Sequence, residues 1–132
     1  MLRNSPMTTM LPVSDIDRAR RFYEATLGLT PLGLKADGRV VYGAGSGALL
    51  ALFPKPDAEP SENTAVSFQV DDITAEVRDL ESRGVAFEDY DLPGLHTVEH
   101  ICVLGAEKAA WFKDPDGNIL CIHEDLNGPT AH

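Results

Sequence analysis

The chain repeats itself. Val13-Ser14-Asp15-Ile16 recurs as Val70-Asp71-Asp72-Ile73, 57 residues further on. A duplicated unit restricts the fold more than any single motif, because both copies have to reach a similar local structure. Each copy closes an alternating segment, Thr8 to Val13 and Ala65 to Val70. Leu11 and Val13 on one side, and Val66, Phe68 and Val70 in the second copy, read as half-buried strands.

A helix is expected after each. The first runs from about Asp17 to Leu27, with Ile16, Ala19, Phe22, Tyr23 and Leu27 near one face and Gly28 as its stop. The second runs from about Thr74 to Ser82, with Ile73, Val77 and Leu80 inward and Gly84 as its stop. Ser14 or Asp15 caps the first and Asp71 or Asp72 the second, since a short oxygen-bearing side chain can accept from the free N–H groups there. Further strands are expected at about 29–34, 39–43 and 48–53, then at 86–90, 100–104, 109–113 and 119–123. Turns are marked by Ala44-Gly45-Ser46-Gly47 and by Asp114-Pro115-Asp116-Gly117-Asn118, which reads as a turn first because Pro and Gly set its dihedrals. Aligning Gly47 with Gly117 leaves the second half about 13 residues longer, and the excess falls around Asp89 to His100.

The fold class that follows is α+β, built from two βαβββ modules. Module 1 spans about residues 7–54, a Pro- and Glu-rich linker 55–63, module 2 about 64–124, and a polar tail 125–132. At 132 residues this fits a single domain. Neither module alone has enough core, so the two are expected to pack together or on another chain.

Charge narrows the partners. The net charge is -10, from 21 acidic and 11 basic residues. Nucleic acid and anionic membranes need a basic face and are excluded as partners. A cationic ligand fits, although an acidic surface also serves solubility alone. No run approaches the roughly 20 apolar residues of a membrane span. The first six residues lack the apolar core of a secretory leader. Cys102 and Cys121 both sit in apolar runs and read as reduced, buried thiols, so the expected location is the cytoplasm.

Three stretches then carry a resemblance: Leu11-Pro12-Val13-Ser14-Asp15-Ile16-Asp17-Arg18-Ala19-Arg20-Arg21-Phe22-Tyr23, Val66-Ser67-Phe68-Gln69-Val70-Asp71-Asp72-Ile73, and Trp111-Phe112-Lys113-Asp114-Pro115-Asp116-Gly117-Asn118. Together they resemble the vicinal oxygen chelate superfamily, the glyoxalase, bleomycin-resistance and extradiol-dioxygenase fold, over residues 7 to 124. The resemblance implies two modules forming a cupped, eight-stranded mixed sheet arrangement, a small-molecule ligand and commonly a homodimer. In metal-using members the cup holds a divalent ion on His, Gln or Glu from the first and last strand of each module.

At the positions the resemblance assigns to those ligands stand Thr8, Ala51, Ala65 and Cys121. Alanine donates nothing, neutral threonine little, and one thiolate cannot hold a metal alone. A slip by one residue meets Thr9, Leu50, Val66, Leu120 or Ile122, which do no better. The expectation is therefore no metal and no cofactor. Met10, Phe53, Ser67, Gln69 and His123 share the inferred cup face, an apolar surface with a few hydrogen-bonding groups, and Trp111 is either a stacking wall or a core residue.

Two further features carry chemistry. Cys121 and His123 share a face of the last strand, as a Cys/His pair or simply as a buried thiol and a half-exposed histidine. His96-Thr97-Val98-Glu99-His100 matches the H-x-x-E-H pattern of metalloproteases, which requires a helix. Here it runs into β-branched Ile101 and Val103, and on a strand the histidines would stand roughly 13 Å apart. A loop is the plain reading, with a histidine reaching the cup mouth as the alternative.

Three functions compete. The first is a metal-free protein that binds or sequesters a small organic molecule. The second is a glyoxalase-like lyase or dioxygenase with a divalent metal on unusual ligands such as Cys121, His123, His96 or His100, or a metal-free isomerase or lyase with His123 or Glu99 as base. The third is an interaction module with a filled cup. No catalytic residue is assigned.

Overall fold

Both copies of the repeat begin on a strand that pairs in parallel with the last strand of its own unit. The computed structural model describes residues 1–45 and 47–126, and the chain divides into two units, Met1–Glu59 and Pro60–His132, with the boundary inside the expected linker. Ser46 and the end of the tail lie outside the described residues.

In the first unit β1 (Thr8–Val13), β2 (Thr30–Leu34), β3 (Val40–Ala44) and β4 (Ala48–Pro54) form a mixed sheet in the order β1-β4-β3-β2. β1 pairs with β4 in parallel, and the other pairs are antiparallel. Leu11, Val13, Val40, Tyr42, Leu50 and Leu52 are buried on one face with Ala19 and Tyr23 of the helix. Tyr23 stacks on Tyr42 at 6.5 Å between ring centroids. The Tyr42 hydroxyl donates to Glu24 Oε2 at 2.8 Å, and Arg20 Nε donates to the same oxygen at 2.8 Å.

The second unit repeats the plan with an addition. β5 (Thr64–Gln69), β6 (Phe87–Glu88), β10 (Glu107–Lys113) and β11 (Ile119–Asp125) run in the order β5-β11-β10-β6, and β9 (Cys102–Leu104) shares the outer edge of β10 with β6. β7 (Asp91–Leu92) and β8 (Leu95–His96) form a separate two-stranded ribbon. The inserted residues thus fold as a ribbon, and the strand expected at 86–90 is cut to two residues. Its would-be continuation, Asp89, instead accepts from Thr97 Oγ1 at 3.0 Å and faces His100.

The two helices show what the repeat controls. Asp15 and Asp72 are the caps, accepting from Arg18 N at 3.1 Å and Ala75 N at 3.2 Å from extended backbone. Such a cap is worth about 1 kcal/mol. α2 (Ile73–Ser82) is regular and buries Ile73, Val77 and Leu80, each contributing roughly 1.5–3 kcal/mol. α1 (Ile16–Arg20) passes into a π-helical stretch over Arg21–Thr26, closed by Leu27 N–H on Phe22 O at 3.0 Å. From cap to stop glycine the first helix is one residue longer than the second. A π turn is the usual way to house a single extra residue while both ends keep their place. Among the described residues no helix is long and apolar enough to cross a membrane.

Candidate functional site

Each sheet turns one face to its own helix and leaves the other for chemistry. In the second unit Glu124 marks the helix side, since its Oε1 accepts from Ile73 N at 2.9 Å. Alternation along β11 puts Leu120 and Ile122 on that side, and cross-strand pairing adds Phe112 and Phe87. The opposite face carries Ser67, Gln69, Trp111, Cys121 and His123. Trp111, Cys121 and Ser67 form one row across β10, β11 and β5, and Ala109, His123 and Gln69 form the next.

One short contact organises these rows. Ser67 Oγ lies 2.6 Å from His123 Nδ1. With the hydroxyl donating, the ring carries its proton on Nε2 and offers an N–H donor, while Ser67 oxygen keeps lone pairs for a ligand. Ser67 and Gln69 are exposed and His123 half-buried. Cys121 is buried, and its thiol donates to Ile122 O at 3.4 Å. Burial pushes that thiol above its ordinary value, with the neighbouring Ser67 side chain and the Ala110 backbone offsetting part of the effect. Cys121 is therefore a neutral thiol at neutral pH, poor both as nucleophile and as metal ligand.

Trp111 is half-buried, with Tyr90 edge-on at 5.6 Å and 85°. Burial raises the Tyr90 phenol first, with the Glu88 carboxylate adding to it. Sequence reasoning missed Tyr90. Its placement depends on register, which local sequence does not show: Glu88 is the cross-strand partner of Trp111, and Tyr90 follows it by two residues. Ala65 does not sit in regular register. Ile119 pairs with Thr64 and Leu120 with Val66, which leaves Ala65 as the extra residue of a bulge.

In the first unit the helix-free face holds the four expected residues. Met10 is the direct partner of Ala51, Thr8 pairs with Leu49, and Phe53 with Pro12. Thr8 and Met10 are exposed, Phe53 is half-buried, and Ala51 is wholly buried.

The H-x-x-E-H segment is not helical. His96 ends β8 and holds Nδ1 3.2 Å from Asp91 Oδ1. Val98 and Ile101 form a bridge with reciprocal backbone hydrogen bonds of 2.8 and 3.0 Å, turning over Glu99 and His100. His100 Nδ1 lies 3.0 Å from Asp89 Oδ1 and its Nε2 3.2 Å from Glu81 Oε2, and its ring stacks on Phe87. Among the described residues no three His, Cys, Asp or Glu side chains converge as a metal-binding group. The Asp114 turn is structural: Asp114 Oδ1 accepts from the backbone of Asp116 and Asn118 at 2.9 and 2.8 Å.

Comparison with known proteins agrees with the sequence resemblance. The family model for the Glyoxalase/Bleomycin resistance protein/Dioxygenase superfamily matches residues 7–122. TnmS3, an antibiotic binding protein from Streptomyces sp. CB03234, is 26% identical with a TM-score of 0.72, over 95% of this chain and 98% of its own. A glyoxalase/bleomycin resistance protein from the same organism is 28% identical with a TM-score of 0.64, over 87% and 96%. A superfamily member from Sphaerobacter thermophilus DSM 20745 is 25% identical with a TM-score of 0.70, over 95% and 100%. No curated protein matches the chain.

Proposed function

The chain belongs to the glyoxalase/bleomycin resistance protein/dioxygenase superfamily, and on that premise we propose that it binds or sequesters a small organic molecule without a metal ion. The observation that carries this reading is the Ser67–His123 pair at 2.6 Å on the same sheet face as Trp111. A ring wall beside a few oriented polar groups is the usual make-up of a small-molecule site. The donor set supports the metal-free part. Ala51 and Ala65 carry no ligand atom, Thr8 is neutral, and the Cys121 thiol is driven toward its protonated form. This set does not fit a hard divalent ion, which needs several anionic or imidazole donors. The antibiotic-binding activity of TnmS3 is consistent with such a role. The net charge of -10 favours a cationic or neutral ligand over an anionic one at this face.

Isothermal titration with bleomycin and with 4-nitrophenol, on the wild-type chain and on Ser67→Ala and His123→Ala, tests the reading. Saturable binding of either probe that weakens about tenfold in both variants supports it. No binding of either probe, or binding indifferent to both substitutions, contradicts it.

A second reading rests on the same contact. In the other tautomer, with Nδ1–H donating to Ser67 Oγ, Nε2 is left as a free base, so a metal-free isomerase or lyase using His123 is the alternative. Its mark is turnover in the presence of EDTA that is lost in His123→Ala.

A further inference from the structure

We propose that the ribbon inserted into the second unit builds a second ligand site, for a small organic anion with an apolar body such as an aryl or alkyl carboxylate. The site uses none of Ser67, Gln69, Trp111, Cys121 and His123 and does not depend on the function proposed for them.

The insertion is the part of the chain that the repeat does not explain, and it frames an open hollow. β8, the Val98–Ile101 turn and β9 line a groove of about 580 Å³, comparable in volume with small-molecule sites. Leu95, Val98, Ile101 and Val103 supply apolar walls, and Lys108 and His96 stand at the rim. Val98 and Val103 are 64% and 61% exposed. Both line the hollow and leave apolar surface open to a ligand there.

Charge names the occupant. Lys108 is the cross-strand partner of Val103 and lies on the same sheet face. Its ammonium makes no ion pair or side-chain hydrogen bond with a described residue, although Glu124 is its cross-strand partner on β11. Arg20, Arg39, Lys55, Arg83 and Lys113 are matched to carboxylates, and of the remaining Lys and Arg side chains Lys108 is the one that lines this hollow. In a chain with 21 acidic residues, an uncommitted ammonium at the mouth of an apolar hollow is a built-in counter-charge. His96 is held through Nδ1 by Asp91, which leaves Nε2 for a ligand.

The backbone points the same way. Glu99 and His100 are the non-glycine residues at positive φ among those described, +51° and +74°. Each costs about 1–2 kcal/mol there. The turn persists because His100 is clamped between Asp89 and Glu81 and stacked on Phe87. Local strain held by surrounding contacts is typical of segments that position a binding surface. Here it holds Val98 and Ile101 paired with each other at the hollow.

The test uses the full chain, 4-phenylbutyrate, and its two charge controls 4-phenylbutanol and 4-phenylbutylamine. Amide NMR titration is expected to give saturable shifts at Val98, Ile101, Val103 and Lys108 with the carboxylate. Lys108→Glu is expected to weaken 4-phenylbutyrate about tenfold and to raise affinity for the amine, with the rest of the spectrum unchanged. Lys108→Arg, which keeps the charge, is expected to retain binding. The inference is overturned if the alcohol binds as tightly as the carboxylate, or if Lys108→Glu leaves the carboxylate's affinity unchanged. It is also overturned if the same amides shift with protein concentration alone, because the surface is then an interface between copies of this chain.

Discussion

Ser67 Oγ and His123 Nδ1 lie 2.6 Å apart although 56 residues separate them in the chain. The parallel pairing of β5 with β11 brings them together, Cys121 opposite Ser67 and His123 opposite Gln69. Neighbouring strands run about 4.8 Å apart, so two side chains offset by one row have to lean toward each other to bond. That lean leaves Cys121 behind the pair and Trp111 beyond it.

The first prediction concerns the histidine tautomer. In the wild-type chain the Ser67 hydroxyl occupies Nδ1, so long-range ¹H–¹⁵N spectra above neutral pH are expected to show His123 protonated on Nε2. Ser67→Ala is expected to yield a mixture of tautomers. An Nδ1–H tautomer in the wild type would contradict the donor direction assigned here.

A second prediction follows from the polar knot under the first sheet. Arg20 and then Tyr42 hold the Glu24 carboxyl below its ordinary value, while burial and Glu24 push the Tyr42 phenol well above its own. A depressed carboxylate stabilises the fold above its unfolded value of about 4.3 and stops doing so as pH falls through the folded value. Tyr42→Phe is therefore expected to cost roughly 1–2 kcal/mol at pH 7. That gap should narrow as the pH falls below 4. Urea denaturation at the two pH values checks it, and a gap that widens in acid would contradict it.

The third prediction compares equivalent glycines of the repeat. Gly47 at φ +80° has open space where a Cβ would go, whereas a Cβ on Gly117 at φ +88° would meet Pro60 Cγ at 3.3 Å. Both Ala variants incur backbone strain of about 1–2 kcal/mol, and Gly117→Ala adds a contact with a stiff ring. Gly117→Ala should be the less stable of the two by thermal denaturation. Equal losses would mean that Pro60 yields.

A fourth prediction addresses the strained turn. Asparagine tolerates positive φ better than glutamate, so Glu99→Asn is expected to stabilise the chain by a few tenths to about 1 kcal/mol. His100→Ala removes the clamp and should lower hydrogen-exchange protection at Thr97 and Val98 while leaving β10 and β11 protected. Loss of protection across the whole second unit would mean that His100 supports the core rather than the ribbon.

Much of this was readable before the fold was known, for physical reasons. The repeat narrowed each cap to two neighbours, Ser14 or Asp15 and Asp71 or Asp72, because capping is local chemistry, and the structure selects Asp15 and Asp72. Period-two alternation put Thr8, Met10, Ala51 and Phe53 on one face and Ser67, Gln69, Cys121 and His123 on another, because side-chain parity follows from strand geometry. What could not be read depends on distant partners. Asp89 leaves the expected strand to meet Thr97 and His100. Glu99 and His100 adopt positive φ against their intrinsic preference because Glu81, 19 residues away, holds the ring. Ala65 looked like a regular strand residue and became a bulge, since a one-residue slip in register leaves no mark on local composition. The π turn in the first helix had a trace, one extra residue between cap and stop.

The most direct test of the central claim is metal stoichiometry, read by elemental mass spectrometry after incubating the chain with Ni, Zn, Mn and Fe(II) and removing free ions. With two alanines, a neutral threonine and a protonated thiol at the expected ligand positions, the chain is predicted to retain far less than one ion per chain, with probe binding unchanged by EDTA. Retention of about one ion per chain, lost in Cys121→Ser or His123→Ala and needed for probe binding, would contradict it.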